Sequence, residues 1–191
     1  MRRIPPWIVY VLGALPFLWL VWRGVTGDLG VDPVKEVEHS LGLHALQFLV
    51  GGLVISPLRW ITGINLIRYR RAVGLVAFAY AVLHVAVWLS LDIQFRWGEV
   101  WGDILRRPYI TLGMLAFVML IPLAATSNMA SIRALGKRWV SLHRLVYAAV
   151  ILGGIHFLLA VKAWPTEPLL YLGAGVILVV LRVTHRFLRW P

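Results

Sequence analysis

Six histidines are the candidates for chemistry in this chain of 191 residues, because it has no cysteine and only eight acidic residues. His84 lies in Ala81-Val82-Leu83-His84-Val85-Ala86 and His156 in Gly153-Gly154-Ile155-His156-Phe157-Leu158, each inside a long apolar run. An imidazole in such a run either hydrogen-bonds a neighbouring helix or ligates a metal. Matching depth favours ligation: both lie about 12 to 13 residues, or about 18 to 20 Å, from the basic end of their helices. Zinc would want three or four protein ligands. Heme wants two neutral axial imidazoles and a lipid-like surrounding for its porphyrin, so two inward histidines at one level point to heme. Gly153 and Gly154 leave room either for a flat macrocycle or for a close helix neighbour.

The other four histidines are less well placed. His143, in Trp139-Val140-Ser141-Leu142-His143-Arg144, precedes His156 by an interval over which an ideal helix turns about 220°, so the two do not share a face. It is either an interfacial histidine or a ligand at a second, stacked site. His39 is expected to cap the second apolar segment or to pair with Glu36 or Glu38, and His44 to lie at the interface. His185 sits among Arg182, Arg186 and Arg189.

The elements that would position these residues are membrane spans. The chain is 60% hydrophobic and 14% charged, with mean hydropathy +0.80, which excludes an ordinary soluble domain. Six apolar stretches stand out: Trp7–Trp22, Leu41–Leu58, Ala72–Leu91, Tyr109–Thr126, Leu145–Val161 and Leu169 to about Val183. At about 20 residues each they take up most of the chain, so the expectation is a single domain over 1–191: an all-α integral membrane bundle of six spans. The first stretch has no small-residue cleavage site after it and reads as a retained span. Pro16, Pro57 and Pro122 fall in or near spans and predict kinks. The sixth stretch is short and predicts that Arg182 snorkels its head to the interface.

The net charge of +11 would suggest nucleic acid in a soluble protein. Its distribution says otherwise. Alternate loops hold Arg2, Arg3, Arg59, Arg68, Arg70, Arg71, Arg133, Lys137, Arg138, Arg144, Arg182, Arg186 and Arg189 with no acid, while the other loops hold all eight acids. Lys and Arg are retained on the cytoplasmic side, so both termini are expected there and no nucleic-acid partner is expected. The acidic segments Asp28–Glu38 and Asp92–Asp103 then face outward and offer surfaces for a partner. No Asp or Glu lies in any of the six stretches, which argues against a carboxylate-driven pump and an H-E-x-x-H protease. No G-x-G-x-x-G stands in a nucleotide-binding context, so electrons would have to come from outside the chain.

Several motifs carry a resemblance. The runs Leu15-Pro16-Phe17-Leu18-Trp19-Leu20-Val21-Trp22, Asp32-Pro33-Val34-Lys35, Arg107-Pro108-Tyr109-Ile110-Thr111-Leu112-Gly113, Leu135-Gly136-Lys137-Arg138-Trp139 through Leu142-His143, and Ile155-His156 with Val161-Lys162 resemble the MsrQ (YedZ) family. These are heme-binding membrane subunits of bacterial periplasmic protein-methionine-sulfoxide reductase systems, more distantly similar to the ferric reductase transmembrane domain. The resemblance implies a six-helix b-type cytochrome of the bacterial inner membrane with one or two hemes b, and FMN as an additional cofactor. It implies electrons arriving from a cytosolic flavin reductase or the quinone pool. They would leave to a periplasmic molybdopterin-containing subunit that reduces methionine sulfoxide in oxidised proteins. Position by position, the heme histidines fall on His84, His143 and His156. A ferric reductase has a further histidine where this chain has Arg70; a guanidinium is a poor iron ligand, so Arg70, with Arg71 or Arg68, is expected to pair a heme propionate.

Overall fold

The computed structural model describes residues 5–161 and 165–188; Arg2, Arg3, Lys162 and Arg189 lie outside the described residues. Among the described residues the chain is all helical. Its helices are α1 (Trp7–Val25), α2 (Pro33–Thr62), α3 (Arg70–Val87, continued by a π turn over Trp88–Asp92), α4 (Trp97–Arg106), α5 (Pro108–Ala125), α6 (Met129–Leu135), α7 (Lys137–Leu142), α8 (Leu145–Ala160) and α9 (Thr166–Leu188). Six segments are long and apolar enough to cross a membrane: α1, α2, α3 with its π turn, α5, α7 with α8, and α9.

Helix α2 departs most from the sequence expectation, starting at Pro33 rather than Leu41. Asp32 caps it, its side chain accepting a hydrogen bond from Lys35 N at 3.1 Å, and Pro33 supplies a pre-set first turn. Its thirty residues make a helix about 45 Å long, against a hydrocarbon layer of about 30 Å. The polar first turns therefore project from the apolar layer, where Arg23 pairs with Glu36 at 2.8 Å and Lys35 bridges Glu38 at 3.3 Å and Asp92 at 3.0 Å. His39 and His44 consequently sit inside the helix. His39 does not cap it but packs its ring 5.5 Å from that of Phe157, and His44 lies well down the helix, not at its end.

Helices α2 and α3 pack along most of their length, as do α5 and α8, and α9 closes against α2 and α8. The main core joins Leu46, Leu49 and Leu53 of α2 to Ala77, Leu120 and Val150. Two proline sites are tied by polar side chains from other helices. Beside Pro16 the ladder of α1 opens, and the Tyr80 hydroxyl enters it, accepting from Phe17 N at 3.0 Å and donating to Gly13 O at 2.7 Å. Pro57 has no N–H for the carbonyl of Leu53, four residues earlier. Arg182 of α9 fills that place: Nε and one terminal nitrogen donate to Leu53 O at 3.1 and 2.8 Å, and the same nitrogen reaches Ser56 Oγ at 3.0 Å. Arg182 is 6% exposed and so does not snorkel. An unsatisfied carbonyl inside the bundle, where water cannot supply the missing bond, is the reason it turns inward.

Candidate cofactor site

Two helix pairs build the site in the same way. His84 of α3 has Nδ1 2.8 Å from the backbone oxygen of Glu38 on α2. His156 of α8 has Nδ1 2.7 Å from the backbone oxygen of Tyr109 on α5. A carbonyl only accepts, so Nδ1 carries the proton in each ring and Nε2 is left with its lone pair. Four residues beyond each of these carbonyls stands a glycine. A Cβ at Gly42 would lie 3.1 Å from the His84 ring, and one at Gly113 would lie 2.7 Å from Nδ1 of His156. Each glycine therefore opens the helix surface where an imidazole must approach the carbonyl one turn earlier.

The two imidazoles come together with ring centroids 6.1 Å apart and planes at 73°. Two metal–nitrogen bonds of about 2 Å, with about 1 Å more to each ring centre, place axial imidazoles on one metal about 6 Å apart. Among the described residues no cluster of three or more His, Cys, Asp or Glu could hold a metal ion. The pair thus suits a metal whose remaining ligands come from a cofactor. Donation from Nδ1 to a fixed carbonyl also orients each ring and raises the basicity of Nε2.

The other expected residues do not join this pair. His143 lies at the other end of α8, with Nδ1 3.1 Å from Trp139 O, Nε2 3.5 Å from Ser127 Oγ and its ring stacked 3.8 Å from Trp139. No second imidazole faces it among the described residues. Arg70 lies close to Tyr147, Arg182 and His143, whereas Arg71 is exposed. His44 Nδ1 donates to Ser40 O of its own helix at 2.6 Å, and the ring stacks on Tyr80 at 5.4 Å and lines a groove of 590 Å³ with Pro16, Gln47 and Gly51. His185 stacks on Trp60 at 3.6 Å, joining the ends of α9 and α2.

Sequence reasoning missed the seats of the histidines. Gly154 packs against α9, where a Cβ would lie 3.2 Å from Leu172 Cα, so helix packing accounts for it. Gly42 and Gly113 are the glycines beside the rings, and the only sequence signal for either was the place of Gly113 in the Arg107–Gly113 motif. Gly113→Ala is expected to push His156 off the Tyr109 carbonyl. Loss of such an orienting contact weakens ligation by about 10- to 100-fold, measurable as heme affinity of the apoprotein by absorbance titration. Unchanged affinity would show that the glycine is not needed for the seat.

A family model described as "Ferric reductase like transmembrane component" matches residues 39–154. The match includes His84 and His143 and stops just short of His156. The chain is therefore a ferric reductase-like transmembrane protein. The protein-methionine-sulfoxide reductase heme-binding subunit MsrQ of Brucella ovis is 48% identical over 183 residues, covering 96% of this chain and 83% of the relative. The subunit of that name from Brucella anthropi is 49% identical over 179 residues, covering 94% and 81%. This chain belongs to the MsrQ family. No solved structure matches it.

Proposed function

We propose that the chain is a b-type cytochrome subunit that carries electrons across the bacterial inner membrane. Its acceptor is a periplasmic, molybdopterin-containing methionine sulfoxide reductase that repairs oxidised proteins. The observation that carries this reading is the His84–His156 pair, two imidazoles 6.1 Å apart with their Nδ1 protons committed to carbonyls. The relatives' name, heme-binding subunit of a protein-methionine-sulfoxide reductase, supports heme as the cofactor and sulfoxide reduction as the reaction served.

A heme b held there supplies reversible one-electron exchange at its iron. The chain's own residues do the positioning: His84 and His156 present Nε2, Glu38 and Tyr109 hold the rings through their carbonyls, and the packed helices keep water away. The pair lies near the end of the bundle that carries Glu36, Glu38, Asp92 and Asp103, so electrons leave there. The basic end faces the cytoplasm, as the retention of Arg and Lys demands. Electrons enter at that end from a cytosolic flavin reductase or from the quinone pool. His143, Arg70 and Arg71 belong to this entry side, where Arg70 would meet an anionic group such as a propionate and His143 would serve a second heme.

FMN, which the family resemblance also implies, would belong to the same entry side. The alternative is the same conduit serving another periplasmic acceptor. One experiment separates the two. The purified holoprotein, reduced in membranes, is mixed with its reductase partner and a methionine sulfoxide substrate, and reoxidation is followed by visible absorbance. Reoxidation that needs both partner and sulfoxide supports the proposal, and reoxidation indifferent to the sulfoxide moves the acceptor elsewhere.

A further inference from the structure

The segment between α3 and α5, expected as an acidic loop, contains a ten-residue helix whose apolar surface is split in two. At about 100° per residue, Val100, Ile104, Trp97, Trp101 and Leu105 occupy one arc of about 140° on α4. One edge of the arc, Val100 and Ile104, packs into the bundle with Trp88, Ile93, Ile110 and Met114. The other edge is bare: Trp97 is 61%, Trp101 65% and Leu105 81% exposed. The opposite side carries Glu99 and Asp103, paired with Arg96 at 3.0 Å and Arg107 at 3.1 Å, and Arg106.

We propose that α4 is an interfacial helix lying in the outer headgroup layer of the bilayer, with the Trp97–Trp101–Leu105 edge dipped into lipid. Three observations choose lipid over a protein partner. First, the bare edge is continuous with the edge packed on the bundle wall, and α5, against which α4 rests, shows Leu115, Val118 and Ile121 at 43–53% exposure further down the same helix. The stripe thus extends an existing lipid-facing belt. Second, tryptophan is the residue whose apolar body and N–H suit the headgroup level. Third, the side opposite the stripe is charged, with Glu99, Asp103 and Arg106, which is the two-faced pattern of an interfacial helix.

The placement bears on the cofactor site. The Thr111 hydroxyl donates to Ile104 O, tying the last turn of α4 to the first turns of α5, which carry the Tyr109 carbonyl that seats His156. Anchoring α4 in the headgroups fixes the depth of that seat. It also leaves only the polar side of α4, with its cleft of 410 Å³ between Lys35, Asp92, Glu99 and Asp103, open to a soluble partner.

The test uses the absence of cysteine from the native chain. Full-length Trp97→Cys, Trp101→Cys and Leu105→Cys, each carrying a single nitroxide, are reconstituted in nanodiscs of phosphatidylethanolamine and phosphatidylglycerol. Val118→Cys serves as the lipid reference and Glu99→Cys as the water reference. Collisional relaxation by oxygen and by a water-soluble nickel chelate is then measured. The stripe labels are expected to be open to oxygen, at least about tenfold less open to nickel than the label at position 99, and about 5–10 Å inside the phosphate plane. Nickel access equal to that at position 99 would place the stripe in water. Shielding from both reagents would place it against protein. Either result overturns the proposal. Should Trp97→Cys or Trp101→Cys fail to fold, Leu105→Cys, at the most exposed position of the stripe, carries the same test alone.

Discussion

His84→Ala and His156→Ala are each expected to abolish the visible absorbance of the heme proposed to sit between these residues, while the protein remains helical and inserted. The expected effect is large because each change would remove a proposed iron ligand outright. Displacing a contact that merely orients a metal ligand already lowers affinity by about 10- to 100-fold, so losing the ligand should exceed that range. His143→Ala should behave differently. Its ring has no facing imidazole and is stacked on Trp139, so the His84–His156 signal should survive and only a second heme should be lost. Heme per polypeptide, measured with the reduced-minus-oxidised spectrum, reads all three variants. Full heme retention in both His84→Ala and His156→Ala would defeat the assignment of the pair, whatever His143→Ala does.

The second large effect is on stability. Arg182→Leu is expected to lower stability by about 2–3 kcal/mol, because the Leu53 carbonyl beside Pro57 is left without a donor in a dry interior. Part of this should depend on the proline. In Pro57→Ala the backbone N–H returns and serves Leu53 itself, so Arg182→Leu should be milder in that background by about 1 kcal/mol, well outside the roughly 0.3–0.5 kcal/mol within which independent changes add. Unfolding of the four proteins in a mixed-micelle titration gives the cycle. Strict additivity would mean that Arg182 is held by something other than the gap Pro57 makes, with Tyr147, whose ring centroid is 6.0 Å from the guanidinium carbon, the next neighbour to test.

The two cases differ in how much was legible beforehand. The spans were readable because crossing a membrane depends on hydropathy summed over about 20 neighbouring residues, a local property. Their ends were less so. The start of α2 was placed at Leu41 because apolarity ends there, yet helix does not: Asp32 and Pro33 set the first turn, and Arg23 and Lys35 neutralise Glu36 and Glu38 in the turns that follow. Helix α4 was read as loop because its five apolar positions alternate with glycines and charges, and only a helical wheel, not a hydropathy window, gathers them onto one side.

His84 and His156 could be paired from depth alone, since both spans run outward from the basic side and equal distances along them are equal depths. What lies around them could not. Nothing local to His84 names Glu38 or Gly42 as its seat, and nothing local to His156 names Tyr109 or Gly113. These contacts bridge 46 and 47 residues of chain and exist only once α3 lies on α2 and α8 on α5. Arg182 is the sharpest instance. By composition alone it is a cation near a helix end with water within reach, and snorkelling follows.

The amino-acid sequence by itself determined that this is a bundle of six apolar spans, which end is basic, and which two histidines can meet. Those properties are sums or spacings along one chain segment. The tertiary structure alone decided the tautomer of each imidazole, the glycines that admit the rings, the inward turn of Arg182 and the two-sided exposure of α4. Each depends on whether a backbone carbonyl or an apolar edge finds its partner on another helix, and in a membrane interior an unpaired polar group has no water to fall back on.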